Sequence, residues 1–161
     1  MKNRLSVYLQ DHLAGADLAI KLLEDLRAHC STTGAEALPA SLHIRIREDR
    51  ATLQKLVDAV GAGRALLKEA ASWVGEKATL IKLGEQEDEF GHFEALEFLA
   101  LGVLGKKQLW RALRELPKSH FEMNSINFDE LIARADAQYA LIETRRLGLV
   151  TLALGQPDEA T

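Results

Sequence analysis

The chain has 161 residues and a formal net charge of −4, which results from 20 Lys and Arg against 24 Asp and Glu. This length fits one domain, which we predict to span residues 1–155, followed by a polar tail at 156–161. The mild acidity provides no general attraction for nucleic acid or for anionic lipid. The single cysteine, Cys30, excludes an intrachain disulfide and a metal site with several cysteine ligands.

The apolar stretch near the amino terminus is interrupted by polar side chains at Asp11, His12, Asp17 and Lys21. A signal peptide needs an unbroken apolar region of roughly 7–15 residues, and a membrane span needs about 18. No part of the sequence meets either requirement. The sequence therefore predicts a cytoplasmic protein whose partners include neither a membrane nor a nucleic acid.

Helical periodicity is present in five segments, and strand alternation is present in none. The predicted helices cover approximately residues 3–29, 40–60, 64–83, 85–116 and 127–152. Gly61, Gly63 and Gly84 separate the middle helices, Pro117 ends the fourth, and Asn127 or Ser125 can cap the fifth. Because long helices joined by short loops must return antiparallel, the sequence predicts an all-α, antiparallel bundle of about five helices.

Ionisable residues interrupt the apolar lines of four successive predicted helices. They are His12 on the first, Asp49 on the second, Lys77 on the third and Glu97 on the fourth. A buried charge without a partner costs several kcal/mol, so such groups must pair, become neutral or bind something. We predict a buried polar network of these four residues. A shift of one residue in helical phase would instead move Asp49 or Glu97 to the rim, and a metal site between facing helices is a further alternative.

Five glycines lie inside the predicted helices, at Gly15, Gly75, Gly102, Gly105 and Gly148. Each costs about 1 kcal/mol relative to alanine. We interpret them as points where helix backbones approach closely. The alternative is that they leave room for a small apolar ligand among the aromatic side chains of the bundle.

A basic stripe and an apolar tail complete the candidate surfaces. The stripe consists of Lys107, Arg111, Arg114 and Lys118, near the carboxyl end of the fourth helix. Such a stripe can bind phosphate, but cations at this position also stabilise the helix dipole, so we interpret it as a solvated face. The fifth helix carries apolar residues at several azimuths, including Leu147, Leu149, Val150 and Leu152. This pattern is typical of a helix that packs across the bundle or joins two subunits, and we predict a homodimer.

The segment from Leu42 to Gly61 contains an acidic pair, Glu48 and Asp49, followed by a leucine-rich run and a glycine stop. Together with the opening segment 8–16, it resembles the ferritin-like superfamily of helical bundles, in particular small bacterial members of undefined role. The resemblance implies a four-helix core, here with one further C-terminal helix. In di-iron members, two helices each supply a Glu and two each supply an E-x-x-H pair. The candidate ligands for Fe or Mn are His12, Glu48, Asp49, Glu76, Glu94 and Glu97.

The chain departs from the di-iron pattern at several positions. Three residues after Glu48 and after Glu94 stand Ala51 and Glu97, and E-x-x-H occurs once, at Glu89–His92 near the rim. Gly61–Gly63 also stands where ferritin-like bundles have a long crossover. We therefore expect a ferritin-like bundle without a complete di-iron site and without an assigned enzymatic activity. One alternative is an Fe- or Mn-dependent oxidoreductase, and another is a module that binds a small apolar ligand or a protein.

Overall fold

The computed structural model describes residues 4–29, 38, 40–60, 89–117 and 126–155. Within these ranges the helices are α1 (Arg4–His29), α2 (Ala40–Ala59), α3 (Glu89–Arg114), α4 (Phe128–Gly148) and α5 (Val150–Leu154). The described residues contain no strand, so the predicted all-α bundle is confirmed. The predicted helix at 64–83, together with Cys30 and the tail at 156–161, lies outside the described residues.

Two clusters of buried apolar side chains determine how the four long helices run. The first contains Leu22, Leu23 and Leu26 of α1, Leu42 and Ile46 of α2, Phe93, Leu96 and Leu99 of α3, and Ile142 of α4. The second contains Leu9 and Leu13 of α1, Leu53 and Leu56 of α2, Leu109 and Trp110 of α3, and Leu131 of α4. The order of these residues shows that α1 and α4 run in one direction, and that α2 and α3 run in the other.

The helix directions make every extensively packed pair of long described helices antiparallel. These pairs are α1 with α2, α1 with α3, and α3 with α4, and the last pair has the most extensive packing. Since α2 and α3 run in the same direction, the end of α2 and the start of α3 lie at opposite ends of the bundle. The antiparallel packing predicted from the sequence is therefore present.

Local sequence signals explain the ends of α3 and α4. Glu89 lies in the first turn of α3, and Arg111 and Arg114 lie in its last turn, where these charges stabilise the helix dipole. Asn127 caps α4, because its Oδ1 accepts a hydrogen bond from the backbone N–H of Glu130 at 3.1 Å. The cap at Asn127 is as predicted.

The predicted fifth helix is divided in the structure. α4 ends at Gly148, where Leu149 adopts φ −95° and ψ −8°, and the short α5 follows and packs on α3 and α4. A glycine at this position weakens helix continuation because of its backbone entropy. The predicted C-terminal helix thus corresponds to α4 and α5 together, and the core helix predicted at 64–83 lies outside the described residues.

Ion pairs between α3 and α4 involve the predicted basic stripe. Lys107 contacts Asp136 at 2.5 Å, and Arg114 contacts Asp129 at 2.8 Å. Arg111 donates to Gln108 on its own helix, and Lys118 lies outside the described residues. Two described members of the stripe therefore join two helices at the surface.

None of the helices in the described ranges combines the length and the apolar character needed to cross a bilayer.

Candidate functional site

Asp49 of α2 is the most deeply buried ionisable group among the described residues that the sequence singled out. Its carboxylate has no exposed surface and accepts hydrogen bonds from three side chains. Lys106 Nζ lies 2.6 Å from Oδ2, Gln138 Nε2 lies 3.0 Å from Oδ2, and Arg134 Nη1 lies 3.1 Å from Oδ1. Asp49 thus ties α2 to both α3 and α4, and its predicted core position is confirmed.

The partners of Asp49 are linked to one another and to the surface. Lys106 Nζ also donates to Gln138 Oε1, and Arg134 reaches Glu48 and Glu130, whose side chains are more than half exposed. We refer to Asp49, Lys106, Arg134 and Gln138 as the polar cluster. Burial lowers the pKa of the Lys106 ammonium, and the Asp49 carboxylate opposes part of that shift.

The buried polar network predicted from the sequence is correct at Asp49 and incorrect at Glu97. The Glu97 side chain is 52% exposed and pairs with Arg146 of α4 at 3.1 Å, because α3 buries Leu96 and Val103 on its inner line instead. This is the one-residue shift in helical phase that the sequence left open. Lys77 lies outside the described residues, and the cation that faces Asp49 in the described part is Lys106.

A cavity of about 280 Å³ lies between α1, α2 and α3, and two members of the polar cluster, Asp49 and Lys106, border it. Small residues form part of its wall, at Gly15, Ala16 and Ala19 of α1 and at Gly102 and Gly105 of α3. Gly15 and Gly102 on its wall are exposed. Asp49 and Lys106 border it from the side of the polar cluster, and most of the remaining wall is apolar.

Within the described part of the chain, no close backbone contact accounts for the helix glycines there. Among the described residues, no atom beyond the local backbone lies within 4 Å of a Cβ atom built at Gly15, Gly102, Gly105 or Gly148. Packing against another described helix therefore does not require a hydrogen side chain at these positions. Gly15, Gly102 and Gly105 instead border the cavity, while Gly75 lies outside the described residues.

His12 and Trp110 border the cavity near the end where α2 and α3 finish. His12 makes an edge-on contact with Tyr8 at a centroid distance of 4.7 Å, and burial lowers the pKa of its imidazole, an effect that Asp11 partly opposes. Trp110 is fully buried, and its indole N–H has no hydrogen-bond partner within the described structure. This orphaned donor and His12 are thus polar groups at the same cavity.

The predicted metal ligands do not come together within the described residues. No group of three or more His, Cys, Asp and Glu side chains is close enough there to hold a metal ion. Glu94 and Glu97 are exposed, Glu48 faces Arg134 and Asp49 is held by the polar cluster. Glu76 lies outside the described residues, and the E-x-x-H histidine His92 is buried rather than at the rim.

Sequence reasoning missed three members of the polar cluster, although a signal for two of them was present. Lys106 continues the inner line of α3, since Leu99, Val103, Lys106, Trp110 and Leu113 are separated by alternating steps of four and three residues. Gln138 continues the line Leu131, Ala135, Gln138 and Ile142 in the same way. Arg134 lies beside this line, and no spacing distinguishes it from the other arginines of α4.

Comparison of the chain with protein-family models, with curated proteins and with solved structures gives no match.

Proposed function

We propose that this protein binds a small, mainly apolar molecule in the cavity between α1, α2 and α3. The observation that carries the proposal is the open space at Gly15, Gly102 and Gly105, three helix-interior glycines that border one cavity. Each glycine costs about 1 kcal/mol of helix stability relative to alanine. Because an alanine would fit at each position against the described residues, packing within the described part of the chain gives no reason for this cost, whereas an open binding volume does.

The size and lining of the cavity indicate the size of the ligand. An apolar cavity of roughly 150 Å³ holds one benzene molecule, and typical ligand sites begin near 300 Å³. A cavity of about 280 Å³ therefore accommodates about ten to twelve non-hydrogen atoms. The mainly apolar wall favours a molecule with a hydrocarbon or aromatic body and few polar groups.

A ferritin-like arrangement without a complete di-iron site is part of the proposal. Its support is that each extensively packed pair of long described helices is antiparallel, as in a ferritin-like bundle. In such bundles, carboxylates on facing helices hold metal ions. Here the Lys106 ammonium lies 2.6 Å from the Asp49 carboxylate, so a lysine side chain supplies the positive charge that faces this carboxylate.

Binding of a neutral probe tests the proposed function. Isothermal titration calorimetry with 1-octanol, which has nine non-hydrogen atoms, should give saturable binding of one molecule per chain. Gly105→Leu should abolish this binding, because the new side chain extends into the cavity from a position where a Cβ atom fits. Gly148→Leu is the matched control, because it introduces the same side chain at a helix glycine away from the cavity. Equal binding of 1-octanol by both variants, or no saturable binding of 1-octanol, octanoate or octylamine by the unmodified protein, would contradict the proposal.

The alternative of an Fe- or Mn-dependent oxidoreductase is tested by elemental analysis. Protein purified without a tag or chelator, and then exposed to Fe(II) under anaerobic conditions, should contain far less than one equivalent of metal. Stoichiometric Fe or Mn that Asp49→Asn releases would instead support the metal site. Asp136→Asn is the control, since Asp136 pairs with Lys107 at the surface and has no part in the polar cluster.

A further inference from the structure

We propose that the ligand of the cavity is an apolar monocarboxylate whose head group binds the Lys106 ammonium. This inference rests on the proposed function and adds the chemical class of the ligand. It depends on the hydrogen-bonding capacity of the groups at the cavity, on the charge of the polar cluster and on the access that each group has to the cavity. Each of these three features favours an anionic oxygen.

Among the described residues, the hydrogen bonds of Lys106 leave one of its donors without a partner. An ammonium carries three N–H groups, and two of them are directed to Asp49 Oδ2 and to Gln138 Oε1. One turn along α3, the indole N–H of Trp110 also has no partner within the described structure. Both residues border the cavity. The site therefore offers donors to its ligand, which favours a ligand with hydrogen-bond acceptors.

The charge of the polar cluster favours an anion. Lys106 and Arg134 carry two positive charges, and Asp49 carries the single negative charge within the cluster. The further carboxylates that Arg134 reaches, Glu48 and Glu130, are more than half exposed, so water screens them. A carboxylate at Lys106 would balance the remaining buried positive charge, whereas an amine would add to it.

Access to the cavity distinguishes Lys106 from the other charged groups on its wall. The Asp49 side chain has no exposed surface, whereas the Lys106 side chain retains 13% of its own. Arg50 is paired with Asp17 at 2.7 Å, and Asp11 is exposed to solvent on α1. Lys106 is thus the buried cation that a ligand can reach. Its charge-assisted hydrogen bond would be stronger than a bond between neutral groups.

A series of probes with one hydrocarbon chain and different head groups tests the ligand class. Calorimetry at pH 7.4 should show that octanoate binds at least about tenfold more tightly than 1-octanol, and that octylamine binds most weakly. If 1-octanol binds and octanoate binds no better, the ligand class is overturned while the proposed function stands. If none of the three probes binds, the proposed function itself fails.

Variants at the neighbouring lysines assign the preference to one side chain. Lys106→Met should reduce octanoate binding to the level of 1-octanol, whereas Lys107→Met, which removes a lysine outside the cavity, should leave the preference unchanged. The double variant Asp49→Leu/Lys106→Met removes both buried charges and serves if the single variant does not fold. A preference for octanoate that survives in Lys106→Met or in the double variant would overturn the assignment.

The unused indole donor supplies a readout that does not depend on affinity. The chain has two tryptophans, so the indole N–H resonance of Trp110 is assigned by its disappearance in Trp110→Phe. Octanoate should shift this resonance in the unmodified protein and should not shift it in Gly105→Leu. An unchanged resonance at saturating octanoate would place the ligand away from Lys106 and Trp110, and would contradict the inference.

Discussion

The Nζ atom of Lys106 lies 2.6 Å from Oδ2 of Asp49, and this contact joins α3 to α2 in the interior of the bundle. The two helices run in the same direction, and the contact connects residues that are 57 positions apart in the chain. The carboxylate has no exposed surface, and its other hydrogen bonds come from Gln138 and Arg134 of α4. One acidic residue of α2 therefore organises the polar contacts of two other helices.

Replacement of Asp49 by leucine should destabilise the protein by about 3–5 kcal/mol, because it leaves the buried Lys106 ammonium without its counter-charge. The double variant Asp49→Leu/Lys106→Met should recover most of this loss, since it replaces both charges with apolar groups. Urea unfolding monitored by circular dichroism measures both free energies. A double variant as unstable as the single one would show that the charge left on Lys106 is not the cause.

Replacement of Gly15, Gly102 or Gly105 by alanine should raise the free energy of unfolding by up to about 1 kcal/mol each. The methyl group meets no atom of another described helix at any of these positions, so the gain in helix propensity is not offset by a clash there. Gly148→Ala is the control outside the cavity and should be stabilising for the same reason. Destabilisation at the three cavity positions, but not at Gly148, would show that the helices need hydrogen side chains there.

The stability of the protein should fall as the pH decreases below the ordinary histidine pKa of 6.5. Burial lowers the pKa of His12, so the unfolded chain takes up a proton in a range where the folded protein does not. This contribution is fully present above pH 6.5 and is lost between pH 6.5 and the lowered pKa. The groups that face His12 are Tyr8 and Asp11 on α1, and Asp49 and Lys106 across the cavity.

Urea midpoints at pH 7.5 and pH 5.5 test the role of His12, with His12→Gln as the comparison. The unmodified protein should lose more stability than the variant between the two values. Glu24 and Glu143 also have lowered pKa values, but their ordinary value is 4.5, so they do not titrate in this window. Equal losses in both proteins would mean that His12 does not cause the acid sensitivity.

The homodimer expected from the sequence stays a prediction. Leu147, Leu152 and Leu154 near the carboxyl end are more than half exposed, as a surface that contacts a second copy would be in a single chain. Light scattering at tens of micromolar should give the mass of two chains. Leu152→Glu should reduce it to the mass of one. A monomer mass for the unmodified protein would contradict the prediction.

Asp49 is a residue whose burial could be predicted from the spacing of apolar residues along its helix. The steps of four and three residues from Leu42 to Leu56 placed its carboxylate on the buried side of α2, and the structure confirms that position. The same reasoning failed at Glu97. Apolar residues of α3 occupy two adjacent lines along the helix, so the line through Glu97 was mistaken for the buried line, which lies one residue away. Periodicity thus resolves a helix face when apolar residues occupy a single line.

The amino-acid sequence by itself determined the helical content, the cap at Asn127 and the burial of Asp49, because these depend on contacts within one helix and on its own amphipathic pattern. The tertiary structure decided which cation faces Asp49 and what the helix glycines border. Lys106 and Gln138 meet Asp49 through the packing of different helices, which no spacing along one helix encodes. For the same reason, the open space at Gly15, Gly102 and Gly105 depends on how α1 and α3 pack against each other, which no spacing along one helix predicts. The mild net charge of the chain conveyed none of this, because the informative charges are the few that the bundle buries.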